Sequence, residues 1–261
     1  MLRGISTLKG LTVGAIDGEI GSVYDIYFDA QHWTVRYFVV DTGTWLSGRR
    51  VLVSPMSLRN PADVVGDRLN VGLTRSQIEQ APSWDTDKPV SRQHEIAYSQ
   101  YYAYPYYWAG PARWGVGWDP LTGIAPIPRP DPVEEEIIAR ERESADDYLH
   151  SAQAVIGYYV QAADDDVGHV EDFLVDDHTW AIRYIVVDTR NWLPGRKVVI
   201  SPQWIKTVSW NDSRVYVQLL RKEVETAPEY DPSAPLERAL ESRLYEHYRR
   251  PTYWDEERPR R

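Results

Sequence analysis

Trp33-Thr34-Val35-Arg36-Tyr37-Phe38-Val39-Val40-Asp41-Thr42 is the stretch on which the fold turns. It is dense in aromatic and β-branched side chains, which suit a pleated, half-buried surface. Trp33, Val35, Tyr37 and Val39 fall in one register of a two-residue period. Upstream, Ile20 to Asp29 also alternates, which predicts Ile20, Ser22, Tyr24, Ile26 and Phe28 on one face and Gly21, Val23, Asp25, Tyr27 and Asp29 on the other. Asp29-Ala30-Gln31-His32 between the two runs reads as a hairpin connection. Downstream, Arg50 to Val53 reads as a strand stopped by Ser54-Pro55, and Arg68 to Leu73 as another, with Leu69, Val71 and Leu73 inward. Thr74 then caps one or two helical turns ending at Ala81, with Gln77 completing a capping box and Pro82 terminating it. Five or six short strands in about 75 residues predict a small β-barrel, which removes exposed sheet edges.

The same pattern occurs twice. Gly10 to Pro55 lies over Gly157 to Pro202 without a gap, and about half the positions are identical. Val39-Val40-Asp41-Thr42 falls on Val186-Val187-Asp188-Thr189, and Trp45-Leu46 on Trp192-Leu193. The match continues past the strands: Arg92 pairs with Arg238, Glu95 with Glu241, Tyr102 with Tyr248, and Pro105-x-Tyr107-Trp108 with Pro251-x-Tyr253-Trp254. Each copy is therefore a β body, a short helical stretch and an aromatic tail. Between the copies, Pro120 to Pro132 is too proline-rich for a continuous helix or central strand and reads as an extended linker. Glu134 to Leu149 reads as an acidic helix. The predicted organisation is mainly β, with two small barrels in tandem, each with a helical and aromatic tail, joined by a Pro/Gly-rich linker and a helix. The boundaries are 1–86 for the first barrel, 87–150 for the helical stretch, aromatic segment, linker and acidic helix, 151–232 for the second barrel, and 233–261 for a tail with a basic end.

Composition narrows the chemistry. The 261 residues carry 29 Lys and Arg against 39 Asp and Glu, a net charge of −10, which disfavours nucleic acid because phosphate neutralisation needs surplus cations. With no cysteine, thiol nucleophiles, disulfides and cysteine-ligated metals are excluded. No run approaches the roughly 20 apolar residues of a membrane span. Met1 to Ser6 shows no charged start followed by an apolar core. The expectation is a cytoplasmic protein without direct membrane insertion, peripheral to a membrane only through partners.

The strings Val35-Arg36-Tyr37-Phe38-Val39-Val40-Asp41-Thr42, Trp45-Leu46-x-Gly48-Arg49 and Val51-x-Val53-Ser54-Pro55 together resemble the PRC-barrel family. Ile182 through Ser201-Pro202 resembles it equally, as do the upstream patterns Asp17-x-x-Ile20-Gly21-x-Val23-x-Asp25 and Asp164-x-x-Val167-Gly168-x-Val170-x-Asp172. The family takes its name from the cytoplasmic barrel of the photosynthetic reaction-centre H subunit, and a similar barrel ends a bacterial ribosome-maturation factor. The resemblance implies a β-barrel used for protein contacts, with no catalytic residue to carry over. The expectation is a chain without the membrane helix of the first or the extra N-terminal domain of the second.

Candidate chemistry is sparse. His32, His94, His150, His169, His178 and His247 fall in no mechanistic spacing, and His32 and His178 sit in matching hairpins that suit solvated turns. Asp164-Asp165-Asp166, His169, Asp172, Asp176 and Asp177 offer carboxylates without the ligand alternation of a calcium loop, so they read as a solvated rim. Asp41 with Arg49, and Asp188 with Arg196, are predicted structural ion pairs that would lock the intervening loops. Trp45, Leu46, Trp192 and Leu193 lie in Gly/Pro-bearing loops where a large apolar side chain is costly unless covered. They are read either as lids over a barrel end or as anchors for a partner. Tyr107, Trp108, Tyr253 and Trp254 of the aromatic tails are further partner-binding candidates, or they pack on a barrel surface, including that of the other copy. No catalytic, metal or cofactor residue is assigned, and the chain is read as not an enzyme. The expected function is an adaptor or assembly module that binds protein partners, a membrane-associated complex included. The alternatives are an accessory to a photosynthetic or other electron-transfer complex, and a ribosome- or RNA-associated factor. No small-molecule partner is assigned.

Overall fold

The computed structural model describes residues 1–58, 64–84, 89–110, 112–115, 117, 119–120, 149–189 and 196–256. The strands are β1 (Leu2–Gly4), β2 (Thr12–Ala15), β3 (Gly18–Asp29), β4 (Thr34–Asp41), β5 (Arg50–Val53), β6 (Val64–Val65), β7 (Arg68–Asn70), β8 (Leu149–Ser151), β9 (Tyr159–Gln161), β10 (Asp166–Asp176), β11 (Ile182–Asp188), β12 (Lys197–Ile200), β13 (Ile205–Ser209) and β14 (Arg214–Val217). One sheet runs β5-β4-β3-β2-β7-β6 and the other β12-β11-β10-β9-β14-β13. Strand for strand the orders are the same, and a parallel pairing joins the first body strand to the last, β2 to β7 and β9 to β14. The chain is mainly β, and the duplication read from the sequence is a duplication of sheet topology.

Residues cluster into two compact units. The first comprises Met1, Arg3–Ala154 and Val175–Ile182; the second comprises Leu2, Val155–Leu174 and Arg183–Arg261. In the first, Val13, Ile20, Val23, Ile26, Phe28, Val35, Phe38, Val40, Val53, Leu69 and Ile78 are buried. In the second, Val160, Val167, Val170, Phe173, Leu174, Tyr184, Val187, Val198, Ile200, Val215 and Val224 are buried. Each such side chain withdrawn from water contributes about 1.5–3 kcal/mol. Thr74 accepts from the Gln77 amide, while the Gln77 side chain accepts from the Thr74 amide, closing the expected capping box on the helix Arg75–Glu79.

Three local expectations are corrected. The alternation along β3 breaks: its pairing with β4 slips between Val23 and Asp25 and again between Tyr27 and Phe28. Each slip is a β-bulge, the first with Tyr24 as the extra residue of β3 and the second with Arg36 as the extra residue of β4, and an extra residue exchanges the two faces of the strand that carries it. Val23, Asp25 and Ile26 are consequently buried, whereas Tyr24 is exposed and meets the Arg50 guanidinium 3.5 Å from its ring centre. Trp33 lies outside the strand, in the left-handed region at φ 49°, as does Trp180 at φ 59°. Leu149 begins β8, antiparallel to β3, where it faces Asp29 across the ladder. It covers an otherwise bare strand edge there, which a helix end cannot do. The rest of the predicted acidic helix and the linker from 121 to 148 lie outside the described residues.

The hairpin tip Val175–Ile182 belongs to the first unit, and its contacts show why. The Val35 amide donates to the Trp180 carbonyl at 2.9 Å and the Ile182 amide to the Trp33 carbonyl at 2.7 Å. The Trp180 indole meets Phe38 edge-on with ring centres 4.9 Å apart. Asp177 accepts from the Met1 ammonium and from Arg3. The first sheet thus draws on residues from both copies of the sequence repeat.

Candidate functional site

Two places gather the residues singled out by the sequence. The first is the loop after β4. Thr42 donates its hydroxyl to the Arg49 carbonyl at 2.5 Å, the Trp45 amide donates to the Thr42 carbonyl, and the Gly48 amide to the Gly43 carbonyl. These bonds hold Trp45 half-buried at the rim of an open groove of about 530 Å³. Ile20, Gly21 and Ser22 of β3 line one side, with Thr12 and Glu19, and Asp41 to Trp45 line the other. The Arg75 guanidinium covers the indole, 4.6 Å from its ring centre. Gly21 is required there. At φ 143° a side chain is strained, and a Cβ would stand 1.9 Å from the Asp41 carbonyl oxygen. Gly168 repeats this against Asp188 at 2.1 Å. Trp192 and Leu193 lie outside the described residues.

The expected Asp–Arg locks take another form. Arg49 donates to the Glu79 and Ala81 carbonyls at 3.4 and 3.2 Å, while Asp41 accepts from the Gly43 amide. Arg196 makes the matching bonds to the Glu225 and Ala227 carbonyls. Asp188 stands 4.0 Å from His169. The arginines therefore serve the last carbonyls of a short helix, groups that lack intrahelical partners and that a cation satisfies well.

The second place is where each tail meets its β body. In the first unit the helix Arg92–Tyr102 carries Glu95, whose carboxylate accepts from Arg92 at 2.8 Å, Tyr107 at 2.8 Å and Tyr37 of β4 at 3.3 Å. In the second, the helix Arg238–Tyr248 carries Glu241, which accepts from Tyr184 of β11 at 2.9 Å and Tyr253 at 3.1 Å and pairs with Arg238 at 3.2 Å. Arg36 lies 3.8 Å over the Tyr107 ring and Arg183 4.0 Å over the Tyr253 ring. Arg92 lies 4.0 Å over Trp108 and Arg238 4.1 Å over Trp254. Two copies of one clasp thus use the same Arg, Tyr, Glu, Arg, Tyr and Trp.

Tyr107 and Tyr253 are consequently buried inside their own units, with Trp108 and Trp254 half-buried beside them. Each tail packs on the body of its own copy. The signal was in the sequence as the matched pairs Arg92/Arg238 and Glu95/Glu241, identical residues where a solvated helix would have drifted.

The arginine partner is exposed to different extents in the two clasps. Burial pushes the Glu95 carboxyl up to about 7, against the lowering effects of Arg92, Tyr107, Arg36 and Tyr37. The Arg92 side chain is 5% exposed and that of Arg238 57% exposed. Arg36, fully enclosed, also donates to Asp29 at 2.9 Å and to the Arg113 carbonyl at 2.8 Å, with Trp114 stacked 4.7 Å away. Burial works to raise the Asp29 carboxyl, but the hydrogen bond from His32 and the charge of Arg36 hold it well below the usual carboxylate range.

His32 is thus tied to Asp29 at 2.9 Å in its turn. In the acidic rim of the second copy, Asp165 pairs with Arg221 and Asp166 with Arg214. Among the described residues no group of three His, Asp or Glu could hold a metal ion, and no helix is long and apolar enough to cross a membrane.

No curated protein matches the chain. The family model of the PRC-barrel domain matches residues 2–77 and again residues 149–224. Those two spans cover both sheets and more than half of the sequence, and the chain therefore belongs to the PRC-barrel domain family, as a tandem of two such domains.

Proposed function

We propose that the chain is a non-enzymatic cytoplasmic adaptor that docks protein partners, with Trp45 as an anchor of its first PRC-barrel domain. The observation that carries this reading is the Trp45 indole, held half-buried by a hydrogen-bonded loop at the rim of an open groove. A tryptophan already fixed in place loses little freedom on binding, and tryptophans dominate the energetic centres of protein interfaces. The second loop carries the same Trp-Leu pair in its sequence. An accessory role beside a photosynthetic or other electron-transfer complex uses the same docking with a membrane-bound partner. Ribosome or RNA association is opposed by the net charge of −10.

The test is affinity capture with the full chain from native lysate, comparing wild type with Trp45→Ala and Trp192→Ala. A defined stoichiometric partner is expected whose recovery falls about tenfold or more in the variants, the loss typical of a hot-spot residue. The melting temperature of Trp45→Ala should stay within about 2 °C, since a half-exposed loop side chain contributes little to folding. Identical captures remove the reading. An electron-transfer complex among the lost proteins selects the accessory role, and salt-sensitive ribosome recovery selects the RNA alternative.

A further inference from the structure

The groove beside Trp45 is lined by two carboxylates, Glu19 and Asp41, by hydroxyl side chains, and by no Lys, Arg or His. Asp41, at the end of β4, has Ser22 of β3 and Arg50 of β5 as its neighbours across the ladder. Arg50 is taken up by the Tyr24 ring, 3.5 Å from its centre. One Asp41 oxygen accepts from the Gly43 amide at 2.9 Å, and among the described residues no cation pairs with this carboxylate.

The second unit shows what the same framework does with a basic group at that place. Lys197, in the position of Arg50, pairs with Glu171, in the position of Tyr24. His169, in the position of Ser22, stands with its imidazole 4.0 Å from the Asp188 carboxylate. One domain thus supplies its own nitrogen base to the aspartate, and the other has only a serine there. We propose, on the reading of Trp45 as a docking anchor, that the seat between Ser22, Asp41 and Trp45 receives an arginine side chain of the protein partner.

A guanidinium suits this seat by charge, by donors and by shape. Its charge answers Asp41 and Glu19, and Glu19 is otherwise engaged only by Arg68 at 3.6 Å, both side chains being about half exposed. Its five N–H donors match the Asp41 carboxylate together with the Ser22 and Thr44 hydroxyls. Its methylene stem packs on the Trp45 indole, which Arg75 already covers at 4.6 Å, so the carboxylates hold the charge and the indole holds the stem. Neither Arg68 nor Arg75 lines the groove. A basic partner segment is also steered toward a chain of net charge −10.

Glycine-selective nitrogen-15 labelling of the full chain reads the seat by NMR. Gly21 and Gly43 line the groove, and Gly168, the counterpart of Gly21, is the internal control. The probes are N-acetyl-arginine amide and its uncharged isostere N-acetyl-citrulline amide. The arginine probe is expected to shift Gly21 and Gly43 saturably and to leave Gly168 in place, with citrulline about tenfold weaker or more. Asp41→Asn keeps an acceptor for the Gly43 amide and should weaken arginine binding by a similar factor. Ser22→His rebuilds the arrangement of the second unit and should remove the response. Equal responses to both probes, no saturable shift, or an unchanged response in Ser22→His each overturn the seat. If Ser22→His fails to fold, Asp41→Asn decides in the same way. Shifts that move on dilution of the chain alone assign the seat to the basic end of a second copy, residues 258–261, and overturn the separate partner. Capture that does not depend on Trp45, with the arginine response intact, removes the docking reading and the partner with it. Capture that depends on Trp45, with no arginine response, removes the seat alone.

Discussion

Arg36→Ala is expected to cost the first unit about 3–5 kcal/mol, the range for removing one partner of a buried ion pair. The guanidinium is fully enclosed, donates to the Asp29 carboxylate and the Arg113 carbonyl, and fills the space between the Tyr107 and Trp114 rings. Alanine leaves a cavity between two aromatic faces, an orphaned carbonyl and a buried carboxylate with one fewer counter-charge. Against a total stability of about 5–15 kcal/mol for a domain, that loss approaches unfolding. Asp29 supplies a second signature. Its carboxyl is held low, so it contributes stability above the ordinary carboxylate value that is lost as pH falls below it. Without Arg36 that acid sensitivity should shrink. Denaturant unfolding at pH 7 and pH 3 reads both effects; a loss under about 1 kcal/mol, the worth of an exposed pair, would mean that the guanidinium is solvated.

Gly21→Ala is the other large effect. The methyl would stand 1.9 Å from the Asp41 carbonyl oxygen and 2.9 Å from the Thr42 Cα, on a backbone at φ 143°. Both are main-chain atoms at the end of β4, in Asp41 and the residue after it, so relief requires the strands to part. A loss of at least about 3 kcal/mol is expected, from steric overlap added to backbone strain. Gly43→Ala is the control. It has positive φ, 53°, but nothing lies within 4 Å of its Cβ position, and about 1–2 kcal/mol covers the left-handed strain alone. Thermal melts of the two variants should separate widely, and equal shifts would refute the close approach of the strands.

Much of this architecture was legible in the residues, for physical reasons that differ by element. Val39-Val40-Asp41-Thr42 and its copy mark the central strand because both faces of β4 and β11 are buried, leaving little room for drift. Thr74 with Gln77 marks the cap because the hydrogen bonds that define it are local. The bulges at Tyr24 of β3 and Arg36 of β4 were not legible, since an inserted residue is set by the register of the partner strand. Trp33 looked like a strand residue by type, yet it takes a left-handed turn that tertiary packing imposes. Asp41 and Arg49 were paired by proximity, while the arginine instead reaches carbonyls some thirty positions away. The clasp was visible only as unexplained identity: Arg92, Glu95 and Tyr107 recur as Arg238, Glu241 and Tyr253, but their convergence on Tyr37 and Tyr184 is long-range.

The sharing of Val175–Ile182 with the first unit bears on how such a gene can change after duplicating itself. A fragment ending near residue 120 would present the β3 edge bare where β8 belongs and would lack the Trp180 indole that abuts Phe38. Excision of the first copy alone would therefore strip it of strand pairing and packing that later residues supply, a step that evolution does not readily take.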